Sequence, residues 1–357
     1  MLYKQDWETV KKRFELLWQN EILDRCCVSV PAPLDKNNPY IETPPTTQEE
    51  LKKWYTDPEW ILKRNEERFQ KTYFGGDALP CIFPYFGTGG HGKYLSNTVQ
   101  YSPDTIWMSP AFEDYDTFDF SFQKNNNDVF RQEVNTIALL AKEGQDRFFV
   151  GSPDNCGSYD ALAQLRGESD LLFDMMDKPD KVKHAAMRVV DVLLESGDAL
   201  FEAIQQNNYG GSIHGGYGTW APGRHWQLQC DISVMISPEM FREFIMEELR
   251  RTAEYLDFAI YHMDGIEQIR FLDDILSIKE INMIQWVQVT GQPPAIQFVP
   301  ELKKIQAAGK GIVIEVYKNQ IKDLMEAISP KGLYLRVIDA ATPEEADDIV
   351  RFVQQNT

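Results

Sequence analysis

The sequence predicts an α/β protein built as a single (β/α)8 barrel with an N-terminal helical extension. Short apolar runs of strand length alternate with amphipathic segments of helix length, which is the pattern of a parallel sheet with helical crossovers. About eight or nine such runs occur, the number that closes a barrel. The competing architecture is an open doubly wound sheet, which is disfavoured because no GxGxxG motif follows the first run.

Residues 1–74 are predicted to form the helical extension, packed on the barrel. The apolar residues of its first segment recur at three- and four-residue steps, as on one helix face: Trp7, Val10, Phe14, Leu17 and Trp18. The next run, CCVSVPAP, has the composition of a strand that enters a Pro-rich loop. Two more helices are predicted at 47–56 and 58–72, and the second begins with Asp57-Pro58 as its cap and first-turn proline.

Residues 75–357 are predicted to form the barrel, in which strands and helices alternate. The predicted strands are 81–85, 147–151, 211–215, 228–233, 258–262, 282–287, 311–316 and 332–338. The predicted helices are 126–143, 178–207, 238–256, 298–308, 318–328 and 343–355. No linker rich in Pro, Gly or Ser divides the chain, so we expect one structural domain overall.

Composition restricts the partners that the protein can have. The formal net charge of −19 argues against nucleic acid and anionic membranes, which both need clustered Lys and Arg. The N-terminus lacks the apolar core of a secretory signal, and no window approaches the ~20 apolar residues of a membrane span. We therefore expect a cytoplasmic protein. The five cysteines include no CxxC pair, and reduced thiols are the expected state.

Polar groups at the predicted strand ends are the first candidates for chemistry, because the active site of a barrel lies at the carboxyl ends of its strands. His262 and Asp264 stand two residues apart and therefore share one face of a strand. Glu315 and Asp339 end later strands. One imidazole and these carboxylates are a plausible ligand set for zinc with an open position for substrate. The alternative is that Asp264-Gly265 and Asp339 serve only as turn and helix-cap residues.

Two glycine- and aromatic-rich segments are candidates for substrate binding. The first, PYFGTGGHGKY at residues 84–94, is predicted to be a flexible active-site loop around His91. In the second, residues 210–231, interleaved glycines suggest a wall against a flat or cationic ligand rather than core packing. Its candidate residues are His214, Tyr217, Trp220, Trp226 and, at its end, Asp231.

Three separated motifs resemble the uroporphyrinogen decarboxylase superfamily. They are SYDALAQLRGESDLLFDMMDKPDKV at 158–182, ISPEMFREFIMEELRR at 236–251, and the strand end YHMDG. The superfamily consists of distorted (β/α)8 barrels and includes corrinoid (cobalamin)-dependent methyltransferases. Its decarboxylase branch carries an arginine-rich segment near the N-terminus, where this chain has only Arg25 in LDRCCVSVPAPLD. The resemblance therefore favours the methyltransferase branch.

The resemblance also implies a zinc site and two partners. Methyltransferase members bind zinc through His-x-Cys and a second cysteine shortly before Thr-Pro. Here His262 matches the histidine, Asp264 stands at the first cysteine, and Asp339 precedes Thr342-Pro343 with a slightly different spacing. The implied function is zinc-assisted transfer of a methyl group between a small methylated compound, of methoxy or methylamine type, and a corrinoid protein. The decarboxylases also suggest a homodimer.

Two alternatives from the sequence stay open. A decarboxylase or lyase without metal would use the same cavity, with Asp231, Tyr159 and His91 binding the substrate and moving protons. A non-catalytic barrel that binds a corrinoid protein is the other alternative. For the enzyme hypotheses taken together, the residues predicted to act in catalysis are His262, Asp264, Asp231 and Tyr159.

Overall fold

The computed structural model describes residues 1–96 and 98–357, which form a mixed α/β fold around a central sheet of seven strands. The strands are β1 Cys27–Pro33, β2 Thr72–Gly76, β3 Cys81–Ile82, β4 Val99–Tyr101, β5 Ile106–Met108, β6 Phe149–Val150, β7 Ser212–His214, β8 Thr219–Ala221, β9 His225–Leu228, β10 Phe258–Asp264, β11 Ile281–Val287, β12 Gly311–Val316 and β13 Leu333–Val337. The α-helices are α1 Trp7–Leu17, α2 Gln48–Thr56, α3 Pro58–Lys71, α4 Asp128–Gly144, α5 Ser158–Arg166, α6 Glu168–Asp177, α7 Pro179–Ile204, α8 Pro238–Met240, α9 Met246–Tyr255, α10 Leu272–Leu276, α11 Val299–Ala307, α12 Ile321–Ala327 and α13 Pro343–Gln355.

The central sheet has the strand order β2-β1-β13-β12-β11-β10-β9. All neighbours are parallel except β2, which pairs antiparallel with β1. Three further pairs stand apart from it: β3 with β6, β4 with β5, and β7 with β8. Within the described residues, ladder hydrogen bonds do not close the sheet. The α/β class is therefore confirmed, whereas closure into a barrel is not.

The sheet separates two hydrophobic clusters. The outer cluster joins one face of the strands to the long helices, as Val28, Tyr261 and Leu335 do with residues of α7, α11 and α13. The inner cluster lies on the other face and contains α1 together with strand residues such as Ile260 and Tyr334. Because side chains alternate across a strand, each parallel strand contributes to both clusters.

The inner face changes from apolar to polar toward the carboxyl ends of the strands. On five strands, an inward residue of the inner cluster is followed two positions later by a polar residue that points to the same side. The pairs, given in the order deeper then polar, are Cys27 and Ser29, Ile260 and His262, Met283 and Gln285, Val313 and Glu315, and Tyr334 and Arg336. This polar layer is the part of the fold that positions the candidate site.

The segment assigned to the N-terminal extension supplies more than helices. It contributes β1 to the sheet, between β2 and β13. The buried carboxylate of Asp77 then binds the guanidinium groups of Arg25 and Arg13 and accepts the backbone N–H of Val28. Residues on both sides of position 74 are therefore held together by one buried ionic network.

Most predicted elements occur close to their expected places. The strand predicted at 228–233 is wrong: β9 ends at Leu228, and residues 231–235 form a 3-10 helix. Several elements were not predicted: helices α5, α6 and α10, and strands β2, β4, β5 and β8. All five cysteines are buried and free. Among the described residues, no helix combines the length and the apolarity needed to cross a membrane.

Candidate functional site

Three predicted residues, Asp231, His262 and Asp264, meet at the carboxyl ends of β9 and β10. Each offers one ligand atom, and these atoms all lie within 4.8 Å of one another. His262 and Asp264 point to the inner side of β10, while Met263 between them packs into the outer cluster. Gly265 follows with φ of +88°, so the chain can turn away directly after Asp264.

A neighbouring side chain fixes the orientation of the His262 ring. The Oε1 atom of Gln285 lies 2.6 Å from Nδ1 of His262, and the two residues are paired in the register of β10 and β11. A carboxamide oxygen can only accept a hydrogen bond, so Nδ1 carries the proton and donates. Nε2 of the neutral ring then has its lone pair available for a metal. A hydrogen bond of this kind to the second ring nitrogen is the usual support of a histidine ligand.

Asp231 is held by two other groups. The carboxylate of Asp160, in the first turn of α5, accepts the backbone N–H groups of Asp231 and Ile232, both at 3.0 Å. The side chain of Gln229 donates to Oδ2 of Asp231 at 3.0 Å. Asp231 therefore begins the 3-10 helix after β9 in a defined position, although it lies near the solvent and is exposed as a whole residue.

A cavity of about 330 Å³ opens beside these three residues. Its lining is aromatic on one side, with Phe83, His214 and Tyr217, and rich in carboxylates and amides elsewhere. Tyr217 stacks on His214 at a ring distance of 3.9 Å and lies parallel to His262 at 6.2 Å. None of the described residues that line this cavity is a lysine or an arginine.

Amide side chains connect the aromatic wall to the metal-capable group. The hydroxyl of Tyr217 donates to Oε1 of Gln227, and Nε2 of Gln227 donates to Oε1 of Gln229 and, at 3.1 Å, to Asp154. Gln229 in turn donates to Asp231. One hydrogen-bonded chain therefore follows β9 from the ring of Tyr217 to the carboxylate of Asp231, and fixes the donors and acceptors along that side of the cavity.

The crowded carboxyl groups have raised pKa values. Burial, followed by the charge of Asp231, raises the pKa of Asp160 to about 7. Burial also raises the pKa of Asp154 to about 6. The carboxyl group of Asp231 faces the cavity, where loss of solvation, followed by the charges of Asp264 and Asp154, raises its pKa to about 6. A cation placed among these groups would favour their ionised forms.

Glu315 and Asp339, predicted as zinc ligands, are not part of the group that contains His262. Glu315 belongs to the same polar layer, but it forms an ion pair of 2.8 Å with Arg336, its register partner on β13. It lies on β12, two strands from His262, and strands spaced about 4.8 Å apart place such residues about 10 Å from each other. Asp339 is half-buried and accepts the N–H of Lys318 at 2.8 Å. Asp231 stands in their place.

Of the residues predicted to bind substrate, His214 and Tyr217 line the cavity and three others do not. Trp220 is fully buried in the inner cluster, where its indole N–H donates to the carbonyl of Asn208 at 2.9 Å. Trp226 points to the outer cluster because it alternates with the inward side chains of β9.

His91 also lies away from the cavity, in a buried 3-10 helix over residues 90–94, within the segment predicted as a flexible loop. Its Nε2 lies 3.1 Å from Oγ of Ser158, and burial lowers its pKa to about 3. The predicted catalytic residue Tyr159 is likewise in the core, fully buried against Phe244. For both residues, the predicted catalytic or binding role stays a prediction.

Sequence reasoning missed several residues that shape the site: Asp154, Asp160, Gln227, Gln229 and Gln285. A signal for two of them was present. In HWQLQCD, residues 225–231, polar residues alternate with apolar ones, which is the pattern of a strand with one polar face. The other three carried no local signal, because their importance arises from neighbours that are distant in sequence.

Glu248 of α9 provides a test of the buried acid groups. It is buried and accepts the first N–H groups of α5, from Ser158 and Tyr159, and burial raises its pKa to about 8. A carboxyl group whose pKa is higher in the folded state stabilises the fold at low pH, and this contribution is lost as pH rises toward 8. A buried histidine with a lowered pKa changes the pH dependence of stability only below about pH 6.5, the ordinary pKa of the imidazole in the unfolded chain. We therefore expect the unfolding free energy to fall between pH 6.5 and 8, by up to about 1.4 kcal/mol per pH unit for each such group.

Urea unfolding at several pH values in this range, with a chelator present, measures the slope. Glu248→Gln should reduce it, whereas the exposed neighbour Glu247, changed to Gln, should leave it as in the wild type. An equal slope in all three proteins would mean that Glu248 is ionised throughout this pH range.

Comparison with known proteins gives one informative result. No protein-family model matches the chain, and no curated protein matches its sequence. Among solved structures, a methyltransferase from Methanosarcina mazei superposes with a TM-score of 0.64. The match covers 97% of this chain and 98% of that chain, at 13% sequence identity. The likeness is one of fold. Assignment to the uroporphyrinogen decarboxylase superfamily stays a prediction.

Proposed function

We propose that the protein is a zinc-assisted, corrinoid-dependent methyltransferase of the uroporphyrinogen decarboxylase superfamily. It would move a methyl group between a small methylated compound, of methoxy or methylamine type, and a corrinoid protein. The observation that carries this proposal is the meeting of Asp231, His262 and Asp264 within 4.8 Å beside an aromatic-walled cavity. The full-length likeness in fold to a methyltransferase adds support.

The three residues have the properties of a catalytic zinc site. Catalytic zinc is commonly held by three protein ligands, with the fourth position open to substrate or water. Nε2 of His262 is available because Nδ1 donates to Gln285. The carboxylates of Asp231 and Asp264 would balance the charge of the ion. When bound there, zinc would act as a Lewis acid that polarises an oxygen of the methyl donor.

The residues of the chain would bind and orient the donor. The rings of Phe83, His214 and Tyr217 provide aromatic surface on one side of the cavity. The lining carries carboxylates and, in the described chain, no Lys or Arg, which is unsuited to a substrate with several carboxylates. This charge pattern disfavours a porphyrinogen substrate.

We also propose that the strands form a distorted barrel. The hydrogen bond between Asp154, which follows β6, and Gln227 of β9 connects the separate pair β3-β6 to the central sheet. Asp154 and Gln227 both line the same cavity. Irregular spacing along this side would account for the missing ladder bonds between the short strands and the ends of the sheet.

A second cavity, of about 580 Å³, adjoins the first and shares Thr88, Asp160, Gln164 and Asp231 with it. Exposed apolar side chains at its rim include Trp107, Val234 and Met235. Apolar rims beside a reaction site are typical of docking surfaces. We propose this rim as the place where the corrinoid protein presents its cofactor. The predicted homodimer and cytoplasmic location stay predictions.

Methyl transfer can be tested with cob(I)alamin as acceptor, because its methylation changes the visible absorption spectrum. We expect the zinc-loaded protein to methylate cob(I)alamin from a methoxy-aromatic compound or a methylamine. A chelator should abolish the reaction, and added zinc should restore it. Failure with every donor, with zinc bound and a corrinoid protein also supplied, would contradict the proposal.

A metal-free lyase remains the second candidate, because the raised pKa values of Asp154 and Asp160 give the cavity carboxyl groups that can donate protons near neutral pH. Such an enzyme would not methylate cob(I)alamin, whether zinc or a chelator is present. The same experiment therefore separates the two functions.

A further inference from the structure

His214 carries a hydrogen-bonding atom for which the described residues provide no partner. Its imidazole is 4% exposed and lines the cavity, and Nε2 makes no hydrogen bond with any described residue. The side chain of Gln227 is close enough to influence the pKa of His214, but it forms no hydrogen bond with Nε2, and its oxygen accepts the hydroxyl hydrogen of Tyr217. A buried polar atom without a partner destabilises the protein, so an atom of this kind on a residue that lines a cavity points to a ligand.

The other ring nitrogen determines which hydrogen-bonding role Nε2 has. The backbone N–H of Tyr217 donates to Nδ1 of His214 at 3.2 Å, so Nδ1 carries no proton. Burial lowers the pKa of His214 well below its ordinary value, so the ring is neutral. A neutral imidazole has one proton, which must then be on Nε2. His214 therefore presents a hydrogen-bond donor to the cavity.

The acidic groups of the cavity differ from His214 in this respect. Asp154 accepts from Gln227, Asp231 accepts from Gln229, and Asp160 accepts two backbone N–H groups. Each of these carboxylates has a partner within the protein, and towards a ligand it offers further acceptor sites but no donor. An ammonium group has no lone pair, so it could bind beside these acceptors but would leave the donor of His214 without a partner.

We infer that the substrate carries an uncharged oxygen acceptor that binds Nε2–H of His214. This inference rests on the proposed function and narrows it to oxygen-bearing methyl donors, in preference to methylammonium compounds. The ring of Tyr217 stacks on His214, with centroids 3.9 Å apart, and on His262, with centroids 6.2 Å apart. The bound oxygen would therefore lie near His214, with Tyr217 between it and His262.

Paired variants can separate the donor from the rest of the side chain. In His214→Gln the carboxamide nitrogen stands near the position of Nε2 and can donate. In His214→Asn the carboxamide stands near Nδ1, so it can accept from Tyr217 but does not reach the position of Nε2. Both variants lose the stacked ring, which makes each the control of the other.

The probes are veratrole, which has two ether oxygens, ortho-ethylanisole, in which one of these oxygens is replaced by CH2, and tetramethylammonium. Calorimetric titration of the zinc-loaded full chain measures their binding. We expect the wild type and His214→Gln to bind veratrole about threefold to tenfold more tightly than ortho-ethylanisole, and His214→Asn to bind both equally. Equal binding of both ethers by the wild type, tighter binding of tetramethylammonium, absence of saturable binding, or an unchanged preference in His214→Asn would overturn the inference.

Binding is measured without turnover, so the outcome is independent of methyl transfer. Loss of the veratrole preference with intact methyl transfer would overturn only the role of His214. Absence of methyl transfer from every donor, with the preference present, would overturn the proposed reaction and leave the oxygen-binding role of His214 in place.

Discussion

Replacement of His262 by alanine is expected to remove zinc binding and methyl transfer while the protein stays folded. The imidazole is the only nitrogen ligand in the group with Asp231 and Asp264, and two carboxylates alone hold zinc poorly. Even the loss of a residue that only supports a ligand commonly lowers metal affinity about 10–100-fold. We therefore expect at least about a 100-fold loss of affinity for His262→Ala. Elemental analysis after dialysis should find about one zinc per wild-type chain and none in the variant.

His184 supplies the matched control because it is an exposed histidine on α7, outside the candidate site. His184→Ala should keep both the zinc and the activity. Circular dichroism of all three proteins checks that the fold is intact. Equal zinc content in the wild type and His262→Ala, or no zinc in either after zinc is supplied, would remove the basis of a zinc-assisted reaction and favour the metal-free lyase.

Trp220→Ala is expected to cost stability rather than substrate affinity. The indole is fully buried between α1 and the inner face of the strands, stands edge-on to Trp7 at 5.3 Å, and donates to the carbonyl of Asn208. Truncation would leave a large void and an acceptor without its donor. Changes of Trp or Phe to Ala in cores cost about 3–5 kcal/mol. Urea unfolding should show a decrease of this size.

Trp107→Ala is the control for this experiment, because Trp107 is 58% exposed. Removal of an exposed ring should change the unfolding free energy by no more than about 0.5 kcal/mol. If Trp220→Ala were as stable as Trp107→Ala but bound veratrole more weakly, Trp220 would have the substrate-binding role that its sequence environment suggested.

The α/β class was predictable from sequence because strand-length apolar runs and helix-length amphipathic segments differ in period. The misplaced element, β9, shows a limit of this reasoning. Its apolar residues Trp226 and Leu228 alternate with polar ones, so the continuous apolar pattern of the other strands is absent. Helix α5 was missed for a different reason. Its N-cap is Gly157, which has no capping side chain, and Glu248 supplies the cap from α9. No local pattern can reveal a cap that is distant in sequence.

The candidate site was predictable in part. The spacing of His262 and Asp264 was sufficient to place them on one face, since residues two apart on a strand share a side. Recognition of Asp231 as their partner required the correct end of β9, because the predicted strand at 228–233 placed Asp231 inside the strand and not after its end. Glu315 lies on β12, which β11 separates from β10. Strands β9 to β13 follow their sequence order in the sheet, so the error was one of strand boundary.

The alternation of β9 has a consequence for protein engineering. Gln227 and Gln229 line the cavity, whereas Trp226, Leu228 and Cys230 belong to the outer cluster. A mutant library restricted to positions 227 and 229 would vary donor selectivity while the packing against the helices stays constant. An insertion of one residue before β9 would exchange the two sets, and would therefore abolish selectivity and stability together.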